Sequence, residues 1–292
     1  MKIPTNKLPI LILLIAVLAS LSCIKPGSKF TSPPGYNLND PEKFLMPESL
    51  LEISGVAFHQ LTPDTAYSIQ DEDGRVFMQQ WGVKKASDTK FNSKGDYEDL
   101  AILGKSMFIL KSNGSFFAFP LSEMGKSNAE GIKEWKKLLP KGEYESMYAD
   151  NSNSQLYVLC KNCDVDKKKD QITGFILAYD PGTASLTQKE TFMVDTKLIQ
   201  ASGHKVQHGL RASALGRNPV TSDWYILSSV NKMLVVVDSK WAIKGIHRLD
   251  SGIFNQPEGI AFDKDQNLYI SNEGDEITNG NILKFKFSGS NK

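Results

Sequence analysis

Pro257-Glu258-Gly259-Ile260-Ala261-Phe262, then Asp263-Lys264-Asp265-Gln266-Asn267, then Leu268-Tyr269-Ile270-Ser271, form the passage from which the fold is read. An acidic start, an apolar run, a cluster of turn formers and a second run carrying an aromatic ring describe a β-hairpin. The passage recurs four times upstream, as residues 53–58 with 66–69, 97–102 with 107–110, 144–149 with 156–159, and 212–217 with 224–227. Each repeat leaves room for one or two further strands, and helical periodicity is scarce. Residues 128–139 are the best helical stretch and fit no better than a loop with one turn. Repeats of about 45 residues with three or four strands each are the signature of propeller blades.

The class is therefore all-β, a β-propeller. Counted from Ser54, Glu98, Glu145, Ser213 and Glu258, the repeats give five blades. The third interval is longer than the others, and six blades is the alternative if it hides a degenerate one. A polar insert at 162–171 and a loop around 201–209 account for the excess without a sixth. Few residues follow the last hairpin, so the missing outer strand is expected from residues 36–45, which would latch the ring shut and remove an open edge.

The N-terminus reads as an export signal. Lys2 and Lys7 precede an apolar run at 8–18, followed by the small residues Ala19, Ser20 and Ser22. That run is short for a membrane span and lacks a stop-transfer flank. Ser20-Leu21-Ser22-Cys23 resembles a lipobox, with lipid carried on Cys23; an ordinary secreted chain with a chance cysteine is the alternative. Pro26, Gly27, Pro33, Pro34 and Gly35 suit a tether. The chain thus divides into a signal peptide at 1–22, a lipid-anchored tether at 23–40 and a propeller at 41–292. Ile24 and Lys25 after the cysteine, by resemblance to enterobacterial lipoproteins, imply the outer membrane of the cell envelope.

Composition excludes some partners. The net charge is +1, with 40% apolar and 10% aromatic residues, and the lysine runs are short and scattered. No basic stripe marks a nucleic-acid partner. A monomer, held to a membrane by its lipid, is expected. Cys160 and Cys163 stand ready for a local disulfide in an oxidising compartment, while a zinc site lacks a second ligand pair. There is no G-x-S-x-G, P-loop or H-E-x-x-H. His204 and His208 lie in a glycine-containing loop, and residues 164–170 lack the Gly and Glu of an EF-hand.

The segments Glu52-Ile53-Ser54-Gly55-Val56-Ala57-Phe58, Gly95-Asp96-Tyr97-Glu98-Asp99-Leu100-Ala101 and Gln256-Pro257-Glu258-Gly259-Ile260-Ala261, with Leu268-Tyr269-Ile270-Ser271-Asn272-Glu273, resemble the SdiA-regulated (YjiK-like) family. The resemblance covers most of residues 50–287. It implies a propeller of the broad NHL and SMP-30 type, usually exported or membrane-associated. The family name describes transcriptional control and carries no chemistry. Ser213-Ala214-Leu215-Gly216 departs from the family's Ser-Gly-Ile-Ala, and Ser146 stands where Gly is common.

Overlaying the repeats gives two ladders. The first reads Ser54, Glu98, Glu145, Ser213 and Glu258 at the start of the first strand; the second reads Asp71, Ser112, Lys161, Ser229 and Glu273 after the second strand. A propeller's first strand leaves one face and its second returns, so both ladders meet at one mouth of the channel. Crowded carboxylates either hold a cation or stay partly protonated. Ca²⁺ suits such an oxygen-rich site, with Glu98, Glu145 and Glu258 as ligands, Asp71, Glu273 and Asp99 nearby, and Lys161 as counter-charge. Capping of neighbouring blades is the alternative use of these groups.

Two functions follow. One is a binding or scaffold propeller that takes a small molecule, glycan or protein at the carboxylate mouth. The other is a divalent-metal-dependent hydrolase or lactonase resembling SMP-30, with one glutamate or Asp99 as general base. The asparagine and aspartate ligands of SMP-30-like sites find no residue-by-residue match here, which favours binding over catalysis.

Overall fold

The five hairpins are the inner halves of five four-stranded antiparallel blades. The computed structural model describes residues 30–83, 85–166, 170–203, 206 and 209–289. Signal and lipidation, with Cys23, lie outside the described residues, as do His204 and His208.

The chain opens with β1 (Glu42–Leu45), which belongs to the last blade. Blade one is β2 (Ile53–Phe58), β3 (Ala66–Gln70), β4 (Arg75–Gln79) and β5 (Ser87–Lys90); blade two is β6 (Tyr97–Leu103), β7 (Ser106–Lys111), β8 (Phe116–Pro120) and β9 (Lys133–Trp135). Blade three is longest, with β10 (Gly142–Asp150), β11 (Gln155–Cys163), β12 (Gln171–Asp180) and β13 (Ser185–Asp195), followed by a short helix α1 (Lys197–Ala201). Blade four is β14 (Ala214–Arg217), β15 (Trp224–Ser228), β16 (Met233–Val237) and β17 (Ile243–Arg248). Blade five is β18 (Gln256–Phe262), β19 (Leu268–Glu273) and β20 (Asn281–Phe285), completed by β1.

Five blades therefore hold and six do not. The long third interval goes into the extended strands of blade three, the β11–β12 connection and α1, not into a hidden sheet. Residues 128–139, read as a loop with one turn, contain the outer strand β9 instead, paired to β8. The inner strands β2, β6, β10, β14 and β18 neighbour one another in a closed ring.

Second strands read as continuous apolar runs because a blade is covered on both faces by its neighbours. Trp224–Ser228 is buried throughout, and so are the middle four residues of Ser106–Lys111. The outer strand Ser185–Asp195 is mostly exposed. Aromatic rings fill the wedges between blades. Tyr148 and Tyr157 of blade three meet Trp224 and Trp241 of blade four, while Phe58 and Trp81 meet Tyr269 across the first and fifth.

The clasp expected from residues 36–45 is present. β1 pairs antiparallel with β20, from Glu42 opposite Lys284 to Leu45 opposite Asn281. The segment ahead of it also packs: Tyr36 and Leu38 are buried between blades four and five. Tyr36 touches the rings of Tyr225, Phe262 and Phe287, and its hydroxyl donates to the Gln266 carbonyl at 2.7 Å. The second half of the expected tether is thus part of the folded body. Gly35, at φ +86°, lets the chain pass against Phe287, where a Cβ would stand 2.2 Å from the ring.

Candidate functional site

Each carboxylate of the first ladder is the extra residue of a β-bulge. Pairing steps from Tyr97–Lys111 to Asp99–Leu110, from Tyr144–Cys160 to Ser146–Leu159, and from Pro257–Asn272 to Gly259–Ser271. Glu98, Glu145 and Glu258 are skipped in turn. In blade one the step from Ile53–Gln70 to Val56–Ser68 passes over Ser54. A bulge re-aims a side chain that a regular strand would turn into the blade interface. Backbone bonds stitch these positions together: Tyr97 N–H donates to the Asp71 carbonyl at 2.9 Å, and Tyr144 N–H to the Ser112 carbonyl at 2.8 Å.

The two ladders form one electrostatic cluster. Burial, then the nearby Asp96, pushes the Glu98 carboxyl from 4.5 up to about 8; Lys161 opposes this and Glu258 adds to it. Glu273 also rises to about 8, through burial and then Glu258, Asp71 and Glu52, again against Lys161. Asp71 is pushed up to about 6 by burial, Glu52 and Glu72. Its Oδ1 is buried with no hydrogen-bond partner among the described residues. Burial raises Glu258 as well, while the hydroxyls of Ser229 and Ser213 and the charges of Lys161 and Lys232 pull it back.

Lys161 is the central cation. It forms an ion pair with Glu145, whose side chain is 9% exposed, and lies 3.5 Å from Glu143. It is itself bulged out of β11, between Asn162 opposite Glu143 and Cys160 opposite Tyr144. A disulfide joins Cys160 to Cys163 and brackets it. Glu145 is thus committed to a lysine. Among the described residues, no group of three His, Cys, Asp or Glu side chains is arranged to hold a metal ion.

Ser213 and Asp99 work on the backbone. Ser213 Oγ donates to the Pro257 carbonyl at 2.9 Å and accepts Ser229 N–H at 3.2 Å, joining blades four and five. Asp99 accepts Leu100 N–H at 2.8 Å and Met147 N–H at 2.7 Å, and is 4% exposed. Each oxygen accepts one backbone N–H inside the wall, so Asp99 bridges blades two and three. Gly55 makes room for it: a Cβ there would stand 2.3 Å from Asp99 Oδ1. The 164–170 loop is likewise self-contained where described, with Asp166 accepting from Thr173 N–H and Oγ1 at 2.8 and 2.6 Å.

Lys232, Asp96 and Glu52 belong to the cluster and were not picked out from the sequence. Lys232 sits in the turn after β15, at the same end as Ser229; its amine bonds the Asn255 carbonyl, and burial lowers its pKa against the pull of Glu258 and Glu273. Its distance from the ladder position hid it. The opposite end of the channel holds a feature the ladders did not reveal, a cavity of about 510 Å³ touched by all five inner strands.

Fold and cluster together define a five-bladed propeller with a carboxylate mouth. A model of the SdiA-regulated family matches residues 182–276, from the outer edge of blade three into blade five, and bears out the resemblance seen in the repeats. No curated protein matches. Among solved structures, the glutaminyl cyclase of Myxococcus xanthus aligns at 12% identity over 84% of this chain and 94% of that one, with a TM-score of 0.52. A glucose dehydrogenase aligns at 11% identity over 84% and 98%, also with a TM-score of 0.52. These likenesses are of fold alone.

Proposed function

We propose that this chain is a lipid-anchored envelope propeller that binds, at its carboxylate mouth, a cationic group on a small molecule, glycan or protein, or Ca²⁺ itself. The observation that carries the reading is the row of bulges that sends Glu98, Glu145 and Glu258 to one mouth, beside Glu273 and Asp71. Burial and repulsion from neighbouring carboxylates, Asp96 and Glu258 for Glu98 and Glu258, Asp71 and Glu52 for Glu273, hold the two carboxyls up to about 8, with Lys161 the cation that opposes both. A cation entering the mouth relieves that repulsion and ionises groups already in place.

With lipid on Cys23 and the chain already packed at Thr31, which meets His247 Nδ1 at 3.0 Å, the chain from one to the other reaches at most about 29 Å. The propeller would then ride close to the membrane. Two measurements test the reading. Cys23→Ser should release the protein from the membrane fraction, and continued pelleting overturns the anchor. Millimolar Ca²⁺ should raise the melting temperature of the parent, since a ligand that binds only the folded state stabilises it, and should raise that of Glu258→Gln less. A parent indifferent to both Ca²⁺ and a diamine such as putrescine overturns the cationic ligand.

A further inference from the structure

The end of the channel away from the glutamates is built differently. Two residues beyond each ladder position stand Val56, Leu100, Met147, Leu215 and Ile260, and all five line the 510 Å³ cavity. Three residues beyond the ladder stand Ala57, Ala101, Tyr148, Gly216 and Ala261, which line it too. Four of these have a side chain of one carbon or none. That run of small residues is what leaves space where five inner strands converge, and the volume falls in the range of small-ligand pockets.

The polar groups of this cavity are unequal. Asp150 is satisfied by its own turn, accepting Ser152 N–H at 2.9 Å, the Ser152 hydroxyl at 2.5 Å and Asn153 Nδ2 at 3.0 Å. Arg217 reaches it through Nη1 at 3.4 Å, and Nε donates to the Ser222 carbonyl at 3.4 Å. Both are long bonds, and Nη2 makes none among the described residues. The guanidinium lies over the Trp224 ring, 5.0 Å from its centroid, with its side chain 26% exposed. Tyr148 flanks the same ring at 5.1 Å, and its hydroxyl has no hydrogen-bond partner among the described residues. Arg217 and Tyr148, each with donor capacity left over, are thus among the residues that line an apolar chamber whose one carboxylate is already compensated.

We infer that this cavity is a second binding site, for a small amphiphile with an apolar body and a single anionic group, the body among the aliphatic side chains and the anion on Arg217 and Tyr148. A guanidinium with open N–H positions favours a carboxylate or similar oxyanion. Burial of the apolar part supplies the affinity.

Hexanoate, octanoate, decanoate and decyltrimethylammonium are the probes, titrated calorimetrically into the full chain carrying Cys23→Ser, which needs no detergent. Affinity should rise about fourfold per added methylene from hexanoate to decanoate. The ammonium should bind at least tenfold more weakly than decanoate. Arg217→Met should erase that preference and keep the chain-length slope. Ala57→Phe, or Ala261→Leu if the first does not show the parent's melting transition, should abolish decanoate binding. Glu258→Gln, at the other mouth, should leave it unchanged, which separates this site from the cationic one. Absence of a chain-length slope, equal binding of the ammonium, or loss of decanoate in Glu258→Gln overturns the assignment.

Discussion

The carboxylate of Asp99 accepts the backbone N–H of Met147 at 2.7 Å, 48 residues along the chain and one blade over. With Leu100 N–H on its other oxygen, it joins the second blade to the third at the innermost strand. Burial pushes its carboxyl well above the usual range, against the pull of those two donors. Asp99→Ala leaves two buried N–H groups unpaired, at about 1–3 kcal/mol each. Urea denaturation should show a loss of roughly 2–6 kcal/mol. Asp99→Asn keeps the shape but turns an N–H₂ toward one of the donors, so it should recover little. Parent-like stability in both variants would remove Asp99 from the wall.

The clasp makes a graded prediction. Tyr36 fills the wedge between blades four and five, and Tyr36→Ala opens a cavity there, at about 3–5 kcal/mol by analogy with other aromatic truncations. Tyr36→Phe loses only the bond to the Gln266 carbonyl and that with Asn218, about 1–3 kcal/mol. Deleting residues 36–45 strips blade five of its outer strand and should lower the melting temperature more than either. Thermal melts of the three proteins check the order, and a deletion no worse than Tyr36→Phe would mean that the ring closes without β1.

Much of this was legible because a repeat fold lets one blade be read against another. The hairpin at residues 257–271, overlaid on its four partners, gave the blade count and both ladders, since a shared offset from a shared turn means a shared height in the channel. Bulges were not legible. Regular alternation puts Glu98 and Asp99 on opposite faces of the blade, each packed against a neighbour, and only the skipped register sends Glu98 to the mouth and leaves Asp99 in the wall. Lys232 escaped because it lies off the ladder, in a turn that brings it back. The apolar cavity did leave a signal, the recurring Ala57, Ala101, Gly216 and Ala261, but small residues inside apolar runs read as packing until five strands are known to converge.

The Lys161–Glu145 pair is nearly buried, with side chains 16% and 9% exposed. Such a pair costs desolvation on both sides, so its removal as a unit and its disruption differ in outcome. Lys161→Met strands Glu145 and takes away the charge that opposes Glu98 and Glu273; it should cost about 3–5 kcal/mol at neutral pH. Lys161→Met with Glu145→Met should regain most of that loss. Denaturant melts of both variants decide: a double variant no better than the single one would show that the pair is not acting as a unit.

The mouth sets a pH dependence whose sign can be worked out. Glu98 and Glu273 hold their protons up to about 8 in the folded protein, against an ordinary value of 4.5. Between those values the folded state binds more protons than the unfolded chain, so stability falls as pH rises. The contribution is fully present below about 4.5 and is lost as pH passes through 8. Melting temperature should therefore drop between pH 5 and pH 8.5 and level off above. Glu98→Gln with Glu273→Gln removes both titrations, so that variant should show a shallower decline and match or exceed the parent at pH 8.5. Ca²⁺ acts in the same direction on the parent alone, because it relieves the repulsion that ionisation creates, and its effect should grow with pH as protons stop competing for the carboxylates. A parent whose melting temperature follows the same pH slope as the double variant, with and without Ca²⁺, would place the buried protons elsewhere in the molecule.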